Sequence, residues 1–549
     1  MLAALAVLVL AGAAAWLVAL PRSAARSAAV SKVGSTRSPR AGSARSSPPA
    51  VGARSHSARG PSSEGTAGTF PGPDGVEARW VVRQNELPGT TAWRIEGNPP
   101  GVISGWFDRV SATDGQAVTL YVSTDASTYV VRAYRMGYYG GDGARLVWSS
   151  SELEGRLQPP CPVSPGTNMV SCDNWSPSLR VRITPAFVQG DYLFELVGSG
   201  GQESYVPLTV SDPSSHAVYL VKNDVLTWQA WNPYGGYDLY QGLGACAAGA
   251  PTYPPCNRSR VVSFDRPYGY AHGAGDFLGN EYPFVYWAEE HGLDVTYTTD
   301  VGVDQDPAVL RHHVALVSLG HDECWALDER LAVQAAAGRG MNVIFFGASP
   351  ILRHVRLQAS PLGPDREEVD YRDSAEDPLD GRASPDLVTG NWWGSPPTDW
   401  PAAGFVGEAY SGFLRPGAEP VPMVVSDASA WIFAGMHLQD GSEIPGALVS
   451  DFDQVDPYLH PSNLQVLAHS PIPVSESEAQ YSPAYADMTY WTEPHSGAGI
   501  FDTGTVAWIP DLPRIPQIDE MTANLMRLFG SGPAGRSEPS RPNWESFAS

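Results

Sequence analysis

Residues 317–331 read VSLGHDECWALDERL, and His321, Asp322, Glu323 and Cys324 place an imidazole, two carboxylates and a thiol at consecutive positions. They follow directly on an apolar run that suits a buried strand. An imidazole and a carboxylate two positions apart can form an acid–base pair, or a metal ligand beside a general base. Cys324 offers another chemistry, a nucleophile activated by His321 at a helix N-terminus. The structural alternative is that Asp322 or Glu323 caps a helix over Trp325–Leu331 while His321 is a satisfied hydrogen-bonding partner. Spacing alone leaves these readings open.

The elements that must position this elbow can be read from periodicity. Over residues 212–532, HAVYLV, DVTYTTD, HVALVSLG and MNVIFFGA are strand-like. FLGNEYPFVYWAEEHG is helix-like and ends at Gly292, and DERLAVQAAAGRG is a helix stopped by Gly338 or Gly340. Such an alternation predicts an α/β domain with a mostly parallel sheet and helices on its faces. Ligands of these sheets sit outside the C-terminal strand edge, where both GHDEC and WNPYGGYDLY emerge. PMVVSD, WIFAGM, ALVSDF and TVAWIP predict further strands, IDEMTANLMRLFG a closing helix, and 533–549 a disordered tail.

Upstream, residues 76–211 carry short β-branched and aromatic runs broken by turn residues, among them AVTLYVSTD, TYVVRAYRM, SLRVRITPA, GDYLFELVG and YVPLTVSD. They predict an immunoglobulin-like β-sandwich, so the whole chain reads as α+β and multidomain. RMGYYGGDGAR reads there as a structural loop. Residues 21–75 are rich in Ser, Ala, Arg, Gly and Pro and predict a disordered stalk. Residues 1–20 are uncharged and long enough to be an export signal or a membrane anchor.

Of five cysteines, Cys161 and Cys172 bracket one short loop and Cys246 and Cys256 another. Two local disulfides are expected, with Cys324 free, and with them a secreted protein or one held at the outer face of the membrane. The formal charge is −24, and Arg22, Arg26, Arg37, Arg40, Arg45, Arg54 and Arg59 crowd the N-terminal tail. The rest is more acidic still, which argues against nucleic acid as a partner of the folded part.

NDVLTWQAWNPYGGYDLY, VVSFDRPY, ALVSLGHDECW, NVIFFGAS and ADMTYWTEPHSGAGIFDTGT together resemble the large (β) subunit family of N,N-dimethylformamidase, and YRMGYYGGDGARLV is similar to its N-terminal β-domain. The resemblance covers most of residues 100–530. It implies a β-domain followed by a glutamine-amidotransferase-like α/β domain, and an amidase with one iron held by two tyrosines and a glutamate, a histidine nearby. Carried over, Glu323 is the carboxylate ligand, His321 the base or orienting group, Tyr240 the first phenolate and Tyr268 the second, with Tyr234 as its substitute. Two phenolates and a carboxylate are hard oxygen donors that suit ferric iron. Where the family elbow has tyrosine, this chain has Cys324. The reading is an exported iron-dependent hydrolase of a small amide-type substrate, possible as a homo-oligomer. The alternative is a surface binding or scaffold protein on the same fold without turnover.

Overall fold

The computed structural model describes residues 68–246 and 254–547. The signal or anchor over 1–20 and nearly all of the expected stalk lie outside the described residues. Among the described residues, no helix is long and apolar enough to cross a membrane.

The architecture is mixed α+β, mostly sheet with few helices. In the N-terminal part the strands Ile103–Phe107, Ala117–Thr124 and Leu179–Arg182 form one antiparallel sheet. Thr128–Met136, Gly190–Gly198 and Glu203–Val210 form the centre of a second. Alternate residues of both sheets meet in one core, Val118, Leu120 and Val122 from the first and Val131, Phe194 and Leu208 from the second. This is the two-sheet packing that period-2 alternation demands.

The larger sheet has seven strands. In order they are Val295–Thr299, Tyr219–Asn223, Ala315–Leu319, Asn342–Phe346, Gly499–Asp502, Ala484–Thr492 and Gln465–Ile472. The first five run parallel; the last two are antiparallel additions. The parallel strands are buried throughout because both faces are covered. Leu220, Leu316, Val343 and Phe345 point to one core with Val333 and Ala336 of the helix Leu327–Ala337. Val221, Val317, Ile344 and Phe346 point to the other, with Phe284 and Val285 of Tyr282–Glu290 and Phe529 of Pro516–Gly530.

The chain lays down Tyr219–Asn223, then adds Val295–Thr299 on one side and Ala315–Leu319 on the other. Strand order therefore reverses between 219–223 and 315–319. The crevice at their C-terminal ends is where an open α/β sheet accepts a ligand.

Several local expectations change. The helix expected over 277–292 is two, Phe277–Asn280 and Tyr282–Glu290, because Pro283 has no N–H with which to continue the first. WIFAGM is a 3₁₀ turn over Trp431–Phe433 rather than a strand. ALVSDF is divided by a turn at Ser450, whose φ is 57°, between Glu443–Leu448 and Asp451–Gln454. TVAWIP ends in the helix Trp508–Asp511; Pro510 could not have donated to a sheet ladder.

Two segments expected to be disordered pack instead. Thr69–Pro71 pairs with Val76–Ala78. In the tail, Ala534 is fully buried, Asn543 accepts from the Val466 amide, and Trp544 lies against His460. Composition signalled disorder in both, but each has a sheet or core surface to lie on.

Where the sandwich meets the larger sheet, Arg135 donates to both carboxylate oxygens of Glu289, at 2.8 and 2.6 Å. Tyr139 and Tyr297 complete this buried group, giving YRMGYYGG a structural role.

Candidate active site

The elbow leaves the Ala315–Leu319 strand through Gly320, whose φ is +63°. A side chain at Gly347, on the neighbouring strand's end, would strike the Gly320 carbonyl, so the two turns nest closely. Residues Cys324–Ala326 then form a short strand parallel to Arg353–Ser360, and the helix begins only at Leu327. Neither Asp322 nor Glu323 caps it: the residue preceding the helix is Ala326, with no side-chain cap. The capping alternative is therefore replaced by a strand that fixes each elbow side chain separately.

Asp322 turns inward, where its carboxylate accepts from buried Lys222 at 2.5 Å and from the Ser318 hydroxyl. Glu323 turns the other way. Its amide donates to Thr227 Oγ1, and its Oε1 accepts from the Trp231 indole N–H at 2.9 Å. Its Oε2 lies 3.6 Å from His321 Nε2, and Asp451 Oδ2 lies 3.4 Å from the same nitrogen. That nitrogen is buried and has no hydrogen-bond partner.

Burial sets the electrostatics. It pushes His321 down to about 4, against the pull of Asp276, so the imidazole is neutral at neutral pH and can accept a proton. It pushes Glu323 up to about 7, opposed by Arg353 and Arg372, and Asp451 up to about 6.

Tyr240 belongs to the same neighbourhood. Asp238 accepts from the amides of Tyr240 and Gln241, a local turn that fixes the tyrosine. The Tyr240 ring stacks on Trp231 at 3.6 Å, and the guanidiniums of Arg372 and Arg353 lie over it at 4.5 and 5.4 Å. Its hydroxyl is buried without a hydrogen-bond partner. Arg266 of VVSFDRPY donates to the carbonyls of Tyr234 and Tyr237, so the two sequence blocks lock each other.

Tyr240, His321 and Glu323 are thus linked through Trp231. Tyr268 stands one turn back along the Val225–Ala230 helix, edge-on to Trp228 at 6.1 Å. Tyr234 packs beside the Trp106–Tyr121–Trp175 cluster of the sandwich. Cys324 is fully buried and free, and burial beside Glu368 raises its thiol well above the ordinary range, which removes the thiolate a nucleophile would need. The other four cysteines pair as expected, Cys161 with Cys172 and Cys246 with Cys256. Among the described residues, no group of three or more His, Cys, Asp or Glu side chains is placed to hold a metal ion.

Sequence reasoning missed Asp451, Arg353 and Arg372. Asp451 sits within ALVSDF, read only as a strand, and no spacing signal ties it to His321, 130 positions earlier.

The family model described as N,N-dimethylformamidase beta subunit-like, C-terminal, matches residues 130–522. The chain belongs to this family. The match takes in both elbows and also much of the sandwich. No curated protein matches the N,N-dimethylformamidase beta subunit-like chain. Among solved structures, one similar chain is a Paenibacillus sp. cycloisomaltooligosaccharide glucanotransferase complexed with cycloisomaltoheptaose, 9% identical, with a TM-score of 0.14. The alignment covers 51% of this chain and only 35% of that one, and at this score it carries no argument.

Proposed function

We propose that this N,N-dimethylformamidase beta subunit-like chain is an exported, iron-dependent hydrolase that cleaves the C–N bond of a small amide. The observation that carries the reading is His321 Nε2, buried and unpartnered between the carboxylates of Glu323 and Asp451. A neutral imidazole in that position can take a proton from water as its oxygen adds to a carbonyl carbon. The carboxylates then stabilise the imidazolium, which returns the proton to the departing nitrogen as the C–N bond breaks.

The residues were also judged against the iron that the resemblance implies. The buried Tyr240 hydroxyl has no hydrogen-bond partner, two guanidiniums lie over its ring, and Glu323 has a carboxylate oxygen not engaged by Trp231. Both fit a hard cation, so Tyr240 and Glu323 would hold it, with Tyr268 the third ligand by the resemblance alone. Ferric iron bound there would lower the pKa of water and polarise the amide carbonyl. The two disulfides support an oxidising compartment, and with it export. The immunoglobulin-like and glutamine-amidotransferase-like likenesses of the two parts belong to the same proposal.

The test compares wild type with Glu323→Gln and His321→Ala on a panel of small amides, with iron measured in each preparation. Each substitution should lower turnover by about 100-fold or more. Unchanged turnover in both variants would overturn the roles given to Glu323 and His321, and no turnover by iron-containing wild type on any amide would leave the scaffold alternative.

A further inference from the structure

One short helix, Val225–Ala230, grips both elbows. Thr227 lies in its first turn and Trp231 ends it four positions on, so both side chains stand on the same face. Thr227 Oγ1 accepts from the amides of Glu323 and Cys324, each at 3.1 Å. Trp231 Nε1 donates to Glu323 Oε1 at 2.9 Å. Three hydrogen bonds from one helical face therefore fix the backbone of the GHDEC elbow and the carboxylate of Glu323.

Trp231 also reaches the other elbow. The Leu239 amide donates to the Ala230 carbonyl at the helix end, and the next residue, Tyr240, lays its ring on the indole, 3.6 Å away and 11° from parallel. An indole held between a phenol ring and a carboxylate sets how the two stand relative to each other. By engaging Oε1 it also leaves Oε2 as the Glu323 oxygen that faces His321 Nε2, 3.6 Å off. Trp228 of the same helix does neither. Its indole N–H goes to Glu281 at 2.9 Å, and its ring meets Tyr268. The two tryptophans of TWQAW thus serve different carboxylates.

We propose that Thr227 and Trp231 are positioning residues for Glu323: Thr227 sets where its backbone lies, and Trp231 sets which carboxylate oxygen faces His321 and how Tyr240 stands beside it. The inference rests on the hydrolysis reading of Glu323 and His321, and adds the two side chains through which the helix Val225–Ala230 acts on them. A carboxylate free to rotate spends part of its time out of reach of the reacting atoms. Loss of the indole N–H should therefore cost turnover rather than substrate binding.

A spectrum and a rate test this on the full chain. In the indole region of a proton–nitrogen NMR correlation spectrum, the resonance missing from Trp231→Phe is that of Trp231. It should move upfield in Glu323→Ala, which removes the acceptor. In turnover, Trp231→Phe keeps a ring against Tyr240 and removes the N–H, and should lower kcat about ten-fold with KM unchanged. Thr227→Val should lower kcat by a similar factor, and Thr227→Ser, which keeps the hydroxyl, should recover most of that loss. A Trp231 resonance unmoved by Glu323→Ala would overturn the proposal, whether or not an amide is turned over. So would wild-type kcat in Trp231→Phe when Glu323→Ala has lost turnover. Full turnover in Glu323→Ala would instead overturn the hydrolysis reading beneath it. If Thr227→Val fails to fold, Trp231→Phe and its missing resonance decide alone.

Discussion

Two groups of buried carboxylates lie in the larger α/β part, and they solve the same problem in opposite ways. In one, Asp322 and Glu329 surround Lys222, whose ammonium lies 2.5 and 2.9 Å from them and 4.3 Å over the Trp325 ring. In the other, Glu408, Asp453, Asp487 and Asp502 are partnered by neutral donors and one histidine. Glu408 accepts from Thr489, Asp453 from the Ser349 amide, Asp502 from the Gly504 amide, and Asp487 from His469. A buried anion is tolerable when a cation stands beside it; otherwise it keeps its proton. In the first group Lys222 faces both carboxylates and anchors the elbow from behind, its charge opposing the burial that raises Glu329 to about 8. In the second, burial raises the carboxyls of Glu408, Asp453 and Asp502, whose partners are neutral.

Lys222→Met would break this contrast most severely. It leaves buried anions uncompensated and should destabilise the protein by about 3–5 kcal/mol in urea unfolding. A loss below 1 kcal/mol would mean that the carboxylates are already protonated and the network is not ionic. Asp322→Asn should cost less, about 2 kcal/mol, because Glu329 still faces the lysine. Turnover should fall along with stability, since Asp322 sets the turn that presents Glu323.

The same substitution in the second group should have the opposite sign. Burial raises the Asp453 carboxyl to about 8, so the folded protein holds a proton that the unfolded chain releases above about 4. Stability from this site should fall as pH rises from about 4 to about 8, and level off above. Asp453→Asn should therefore stabilise by about 1 kcal/mol at pH 8 and have no effect at pH 4. Thermal unfolding at the two pH values decides, and equal effects at both would place a cation among these groups after all. The smallest effect is expected for Ser349→Ala. The Ser349 hydroxyl is buried without a partner, so its loss should cost no more than about 0.5 kcal/mol. A cost above 1 kcal/mol would show that it bonds the carboxylates.

The sequence by itself determined the local and repetitive features. Continuous apolar runs of five or so residues marked the parallel strands, because a strand covered on both faces has no polar side. Alternation marked the sandwich strands, and two short cysteine spacings marked two disulfides. Motif order marked the family, and GHDEC marked the elbow. Tertiary structure decided which elbow residue does what. Asp322 and Glu323 are chemically alike and adjacent, and only the parallel pairing of Cys324–Ala326 with Arg353–Ser360 turns one toward Lys222 and the other toward Trp231. It also decided that Asp451, from a distant strand, meets His321, and that Tyr268 stands by Trp228. Spacing along a chain carries no information about contacts closed over a hundred residues. Those are set by strand order and burial, which in turn set the protonation on which the chemistry depends.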